Sequence, residues 1–290
     1  MAKPLIPGVV KIQLQKSLKD LPPLPVVVLK VLEETQNATS SANSMQELIQ
    51  LDNALASKVL RVVNSPYYGL SGQVSSLLQA CVILGNQQIR NLVMSMGVMS
   101  VVQASNSAQT EAMNHSRLHA LAAGFVAKSL AKKRSLDSKE IEDLFVATLL
   151  HDLGYVYILC NFQDAHDAVY SKVVKTGRRL AEVEQETIGL THAEVGAMMA
   201  DQWKLPGQLS NLIRQHEGPF SEGATPSEMI VHLGDELTKY LCFSAEPGVP
   251  DTIDPYALAW FNAQPGELEA TVEEVHGMVD TLRETLSLAA

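Results

Sequence analysis

A histidine beside an aspartate, His151-Asp152, is the first feature of this 290-residue chain that could do chemistry. A neutral imidazole supplies a nitrogen lone pair and a carboxylate supplies charge, a combination that holds divalent first-row metals. Neighbours on a helix lie about 100° apart, so both can reach one ion from a shared edge. Four more residues extend the pattern. His119 lies in the preceding predicted helix. His192, after Thr191, opens an amphipathic helix. His216 closes the helix that starts after Leu205-Pro206, and Asp235 lies in the helix after that. Helical bundles commonly build metal centres from donors on several facing helices. Each residue alone has an ordinary reading as a surface or hydrogen-bonded core group. His115, His166, His232 and His276 have no matching role and read as exposed or packed.

The elements that must position these residues read as helical nearly throughout. Apolar residues recur at helical spacing over 24–35, after Pro22-Pro23, and again over 54–63. The run Asn64-Ser65-Pro66-Tyr67-Tyr68-Gly69 ends the second of these, because Pro66 disfavours helical geometry at Ser65. It reads as a structural turn with Asn64 capping backbone groups, or else as a recognition surface carried by Tyr67 and Tyr68. Helices are predicted over 75–84 and 87–103, and the polar stretch 103–110 reads as a break. Further helices are predicted at about 115–133, 138–152, 162–176, 180–187, 192–203, 206–216 and 226–242. No run alternates with period two, so the expected class is all-α, in two packed helical subdomains. The expected divisions are 1–105, 106–245 and a connector with a C-terminal helix over 246–290, including a short helix near Tyr256–Phe261. In the last helix Leu268, Val272, Val275, Val279, Leu282 and Leu286 form a continuous heptad seam. The seam either docks on the chain's own body or pairs with a partner, including a homodimer through 267–286; Gly277 weakens a free-standing coiled coil.

Composition bounds the rest. Apolar residues make up 46% and charged residues 19%, which excludes general disorder. The formal net charge is −10, from 22 basic and 32 acidic residues, which argues against a general nucleic-acid binder. Residues 251–290 hold eight of the acids and one base, Arg283. No stretch reads as the roughly 18 uncharged apolar residues of a membrane span, the best being Leu92 to Val102. No signal-peptide core is evident, so a cytoplasmic location is expected. Cys81, Cys160 and Cys242 are too far apart for a thiolate zinc site and read as buried small hydrophobes. Lys128, Lys132, Lys133 and Arg134 read as the solvated end of a helix. Trp203 with Leu205-Pro206 reads as core plus a helix start.

His119, then His151-Asp152-Leu153-Gly154, then a distant Asp235, resembles the HD superfamily of metal-dependent phosphohydrolases. Further runs narrow this to the HDOD domain: Leu21-Pro22-Pro23-Leu24-Pro25, Leu51-Asp52-Asn53-Ala54-Leu55, Leu60 through Gly69, Ile83-Leu84-Gly85, Gly189 through Ala197, Trp203-Lys204-Leu205-Pro206 and His216. They run in order from about residue 20 to 242. The resemblance implies an all-helical fold and a role in bacterial signalling or regulation. It also implies that His119, His151, Asp152 and Asp235 hold one metal. Asp152 would bridge to a second, held by His192 and His216, the metal being iron, manganese or zinc. Such a pair polarises a phosphoryl oxygen. The chain departs from the cyclic-dinucleotide phosphodiesterase branch in three places. Tyr155 stands in place of a lysine, Glu217 in place of a second histidine, and Glu217-Gly218-Pro219 only echoes the Gly-Tyr-Pro signature.

Three functions follow as expectations. One is a regulatory module that binds a signalling protein or a small phosphorylated ligand, with metal holding its helices. Another is a phosphohydrolase acting on a nucleotide or phosphate ester. The last is a metal-free helical interaction protein. Glu186 and Glu194 are candidates to support the histidines from behind, although as helix-surface acids they are solvated by default. Lys128 is the only cation expected near the histidines, and it reads as a surface lysine.

Overall fold

A computed structural model describes residues 6–34, 37, 39–65, 68–239 and 253–276. The described residues are helical and turn-like, with no strand among them, in agreement with the all-α expectation. Contacts divide the chain into two compact units, Met1–Pro22 with Val102–Val272, and Pro23–Val101 with Glu273–Ala290.

The second of these units holds α2 (Val26–Glu34), α3 (Ala42–Ile49), α4 (Asn53–Val63), α5 (Leu77–Leu84) and α6 (Asn86–Met99). Ser41, Asp52 and Ser76 cap α3, α4 and α5 by accepting from backbone N–H groups of the first turn. Val28, Val31, Met45, Ile49, Val59, Val63, Ile89 and Val93 are fully buried and form its core. Asn64 accepts from Val74 N–H at 2.7 Å and donates to Val74 O at 2.8 Å, closing the turn after α4. Its expected capping role is therefore present, while Pro66 and Tyr67 lie outside the described residues. The α3 helix was not legible as a helix, because its eight residues carry only Met45 and Ile49 inward.

The unit that carries the candidate site contains α1 (Pro7–Lys19), α7 (Ser107–Lys133), α8 (Ser138–Leu150), α9 (Leu153–Asn161) and α10 (Gln163–Thr176). It continues through α11 (Leu180–Thr187), α12 (His192–Gln202), α13 (Gly207–Gln215), α14 (Pro226–Thr238) and α15 (Pro255–Phe261). At 27 residues α7 runs about 40 Å and forms the spine against which α8 and α14 pack. Its inward face is rich in alanine (Ala120, Ala122, Ala123, Ala127, Ala131), so neighbouring backbones come close. Asn106 caps α7, so the helix starts inside the polar stretch expected to be a break. An Asn cap with polar first-turn residues has no apolar periodicity to reveal it.

The segment expected as one helix over 138–152 breaks after Leu150, and α9 follows at once. Ser138–Asn161 is the described stretch long and apolar enough to cross a membrane by composition, in place of Leu92–Val102, and 83% of its apolar window is buried inside the protein. The short helix near 256–261 is present as α15, started by Asp254, whose carboxylate accepts from Tyr256 and Ala257 N–H. Residues 267–276 are helical. Val272 and Val275 of the heptad seam are buried and Leu268 is half-buried; Val279, Leu282 and Leu286 lie outside the described residues.

Three expectations about side chains change. Lys128 is buried in an ion pair with Glu142 and lies over the Phe145 ring, so it is not a solvated lysine. Arg134 stacks on Phe261 at 3.7 Å and donates to its carbonyl, tying the end of α7 to α15. Cys81 is buried as expected but Cys160 is half-buried, and Cys242 lies outside the described residues. Trp203 is buried, and its indole N–H donates to Pro22 O at 2.9 Å.

Candidate metal centre

Two close helix approaches set the geometry. A Cβ on Gly154 would lie 2.0 Å from His192 O and 2.4 Å from Gly196 N, so only glycine lets the start of α9 rest on the start of α12. A Cβ on Gly234 would lie 2.8 Å from Ala127 Cβ and 2.9 Å from Ala123 O, which seats α14 on α7. The first contact brings His151-Asp152 to His192, and the second brings Asp235 to His119.

His151 and Asp152 sit in the two-residue junction between α8 and α9 and not inside one helix, as was expected. Asp152 occupies the N-cap position of α9 but makes no capping hydrogen bond with its side chain. Its carboxylate turns to the histidines instead.

All six sequence candidates converge. His119 Nε2 lies 2.9 Å from Asp235 Oδ1, 3.3 Å from His151 Nε2 and 3.5 Å from Asp152 Oδ2. His151 Nε2 lies 3.1 Å from Asp152 Oδ2 and 3.3 Å from Asp235 Oδ1. The other Asp152 oxygen, Oδ1, faces His192 Nε2 at 3.6 Å and His216 Nε2 at 3.9 Å. Donor atoms of His119, His151, Asp152 and Asp235 lie within 4.8 Å of one another, as do those of Asp152, His192 and His216. Asp152 therefore offers one oxygen to each histidine pair. These four histidines are essentially inaccessible to solvent.

Tautomers follow from the acceptors behind the rings. His151 Nδ1 donates to Thr148 O at 2.6 Å, and His216 Nδ1 to Ile213 O at 2.7 Å. His192 Nδ1 donates to Glu184 Oε2 at 2.8 Å, and Glu184 also accepts the His192 backbone N–H. Committing the Nδ1 protons leaves the Nε2 lone pairs aimed inward, the arrangement used to orient metal-ligating histidines. His192 Nε2 and His216 Nε2 then face each other at 3.1 Å. Two bare lone pairs at that distance repel, so the pair shares either a proton, which Glu184 and Glu217 favour on His192, or a metal ion in its place.

Sequence reasoning missed four participants. Glu184, not Glu186 or Glu194, supports a ligand histidine. Glu186 is exposed and pairs with Lys172 and Arg178, while Glu194 completes the capping box of α12. Glu184 lies eight residues before His192, and nothing in the composition separated it from its acidic neighbours. Glu217 Oε1 lies 3.5 Å from His192 Nε2 and 3.7 Å from His216 Nε2. Lys239, one helical turn after Asp235, donates to Asp235 Oδ2 at 2.8 Å and to Glu236 Oε1 at 2.9 Å. The i, i+4 spacing from Asp235 was its available signal. His232, read as having no role, is buried. It donates from Nδ1 to His216 O at 2.8 Å and accepts Asp254 N–H at Nε2 at 2.8 Å, fixing the backbone that carries His216 and Glu217.

Electrostatics match the geometry. The carboxylates of Asp152, Glu184, Glu217, Asp235 and Glu236 outnumber the two local cations, Lys239 and Arg179. Burial opposes charge on His151, yet Asp152 and Asp235 overcome it and push the imidazole up to about 10. Burial and then the neighbouring His151 and His192 push His216 down to about 4. Asp152, Glu217 and Asp235 are held well below the ordinary carboxylate range despite burial, by His151, Lys239 and their neighbours. A buried surplus of negative charge, with inward nitrogen lone pairs, is the environment a divalent cation neutralises. The donor set fits such an ion, and the buried His/Asp groups suggest a divalent metal site.

An all-helical bundle with an internal His/Asp cluster of this kind defines a class of helical proteins with the makings of a metal centre. Within that class the chain belongs to the HDOD domain family, which matches residues 21–219. Asp235 and Lys239 lie just beyond the matched span. An uncharacterized protein of Treponema pallidum (strain Nichols) is 29% identical over 203 residues, covering 69% of this chain and 38% of that protein. This chain thus matches well under half of that relative's length. Two crystal structures share the fold. One is a provisionally assigned phosphohydrolase of Shewanella amazonensis SB2B, with TM-score 0.72, 22% identity, and coverage of 94% of this chain and 97% of that one. The other is an HDOD domain protein of unknown function from Geobacter sulfurreducens, with TM-score 0.65, 20% identity, and coverage of 93% and 98%.

Proposed function

We propose that this protein is a bacterial regulatory HDOD protein, acting in the cytoplasm, whose helical bundle is locked by divalent metal. One ion is held by His119, His151, Asp152 and Asp235, and a second by His192 and His216 with Asp152 shared between them. The observation that carries this reading is the convergence of six buried donors, His119, His151, Asp152 and Asp235 within 4.8 Å of one another and Asp152, His192 and His216 likewise. Mixed imidazole and carboxylate donors suit iron, manganese or zinc. The candidate ligand residues are enclosed, Asp152 being 7% exposed and the others 1% or less. That enclosure favours a structural or sensing ion over open-site turnover. The partner of such a module is a signalling protein or a small phosphorylated ligand. Elemental analysis of wild type beside His151→Ala and Asp152→Ala tests the reading. Metal in wild type, the loss of one ion in His151→Ala and of both in Asp152→Ala are expected. Equal content in all three removes the centre.

A second reading, a metal-dependent phosphohydrolase acting on a nucleotide or phosphate ester, is favoured by one specific feature. Arg179 Nε is buried with no hydrogen-bond partner among the described residues. Its Nη2 lies 3.7 Å from Glu217 Oε2, so a guanidinium donor stands at the edge of the cluster. When bound, the metal pair would supply Lewis-acid polarisation of a phosphoryl oxygen. Arg179 would orient the anion. Turnover of a nucleotide and phosphate-ester panel with added Mn²⁺ or Fe²⁺, abolished by Asp152→Ala, would establish this reading over the first.

A further inference from the structure

The second metal position, as assigned above, has one donor fewer than the first. The first has two imidazoles and two carboxylates, while the second has His192, His216 and one shared oxygen of Asp152. Glu217 is placed to make up the difference. Its Oε1 lies 3.5 Å from His192 Nε2 and 3.7 Å from His216 Nε2. Asp152 Oδ1 lies 3.6 and 3.9 Å from the same two nitrogens. Glu217 is therefore nearer to the histidine pair than the carboxylate expected to serve it.

The surroundings hold Glu217 in that place. The side chain is 8% exposed, on the turn directly after α13. Arg179 donates to its backbone carbonyl and lies 3.7 Å from Oε2, so one carboxylate oxygen is engaged from outside while Oε1 points inward. Lys239 Nζ stands 3.9 Å from Oε1, already bonded to Asp235 and Glu236. Its ammonium pairs more closely with Asp235 and Glu236 than with Glu217. His232 fixes the His216 carbonyl just before Glu217. Oε1 of Glu217 thus has one cation within 4 Å, Lys239, which it shares with Asp235 and Glu236, and otherwise faces the two imidazole nitrogens. A buried carboxylate is costly unless paired or bound to a cation.

We infer that Glu217 is a direct ligand of the second metal, giving both positions the same donor set of two imidazoles and two carboxylates. This rests on the two-ion reading of the centre and adds to it the residue that sets the second ion's charge and affinity. Two anionic oxygens beside two nitrogens shift that position toward the harder divalent ions, manganese or ferrous iron, over zinc.

The experiment loads full-length wild type, Glu217→Gln and Glu217→His with Mn²⁺. It measures bound metal per chain, affinity by chelator competition, and the spin-coupled signal of a manganese pair by electron paramagnetic resonance. Wild type is expected to bind two ions with a coupled signal. Glu217→Gln should keep the first ion and weaken the second by more than the roughly 10–100-fold typical of losing an outer partner, abolishing the coupled signal. Glu217→His replaces the oxygen with a nitrogen donor and should restore the second ion. Its recovery also tests the assignment if the glutamine variant fails to fold. Two coupled ions in Glu217→Gln at wild-type affinity would overturn the assignment while leaving the centre intact. A Glu217→His chain that folds but holds only one ion would also overturn it. Wild type that takes up no metal would sink the centre itself, and this inference with it.

Discussion

Removing the Asp152 carboxylate takes an oxygen from both histidine pairs at once, whereas Asp235 stands closest to His119 and His151 and reaches only His216 of the other pair, within 4.8 Å. Asp152→Ala is therefore expected to lose both ions and Asp235→Ala chiefly the first, read by metal content per chain. The metal-free protein should show a stability optimum near pH 6.5. His151 is raised from 6.5 to about 10, so the folded state binds the extra proton, and that contribution is whole below 6.5 and lost as pH climbs toward 10. His216 is lowered from 6.5 to about 4, so the unfolded state binds the extra proton and stability is lost as pH falls from 6.5 toward 4. The depressed carboxylates Asp152 and Glu217 extend the acid limb below about pH 4.5, where the unfolded carboxyls take up protons that the folded ones do not. Metal reverses the alkaline limb, because it occupies the nitrogen that the proton would hold. Denaturant melts from pH 4 to 9, with and without Mn²⁺, check both limbs.

At the scale of elements, the contact of α9 with α12 matters more than any cap. Gly154→Ala forces a methyl against His192 O and Gly196 N, backbone atoms that cannot step aside. A loss of about 3 kcal/mol in urea denaturation is expected, with metal binding weakened in parallel. Asp137→Ala removes the capping box of α8 on the exposed side of the chain and should cost about 1 kcal/mol with metal content unchanged. The six candidate ligands were legible because histidine and aspartate types, in order along amphipathic helices, carry chemistry in their identity. The break after Leu150 was not, because apolar residues continue unbroken from α8 into α9 and periodicity has nothing to register. Glu184 and Lys239 were hidden for a different reason. An acid or a lysine at a helical position reads as solvated until the neighbouring element is known, and only packing shows that these two face inward.

For the whole molecule, all donors of the centre belong to the unit formed by Met1–Pro22 and Val102–Val272. Helices α2 to α6 contribute none of them. An ion present at about 100 times its dissociation constant adds roughly 2.7 kcal/mol to the unit that binds it. Chelation should therefore speed amide hydrogen exchange in α7, α8, α12 and α14 and leave α2 to α6 unchanged. Equal acceleration in both sets would show that the ion acts on the chain as a whole. The all-α architecture itself was legible, since a chain with 46% apolar residues at helical spacing and no alternating run has few other ways to fold.

The carbonyls of Thr148 and Ile213 and the carboxylate of Glu184 hold three imidazoles in their final orientation by contacts made within the fold. None of these three rings has to turn when an ion arrives, so much of the entropic toll of assembling the coordination sphere is met while the chain collapses. Loading should then be governed by how readily the surrounding helices part to admit the ion, since Asp152 is 7% exposed and the other five donors 1% or less, and unloading should be slow on the same account. A protein built in this way would register the history of its metal supply, not its momentary level.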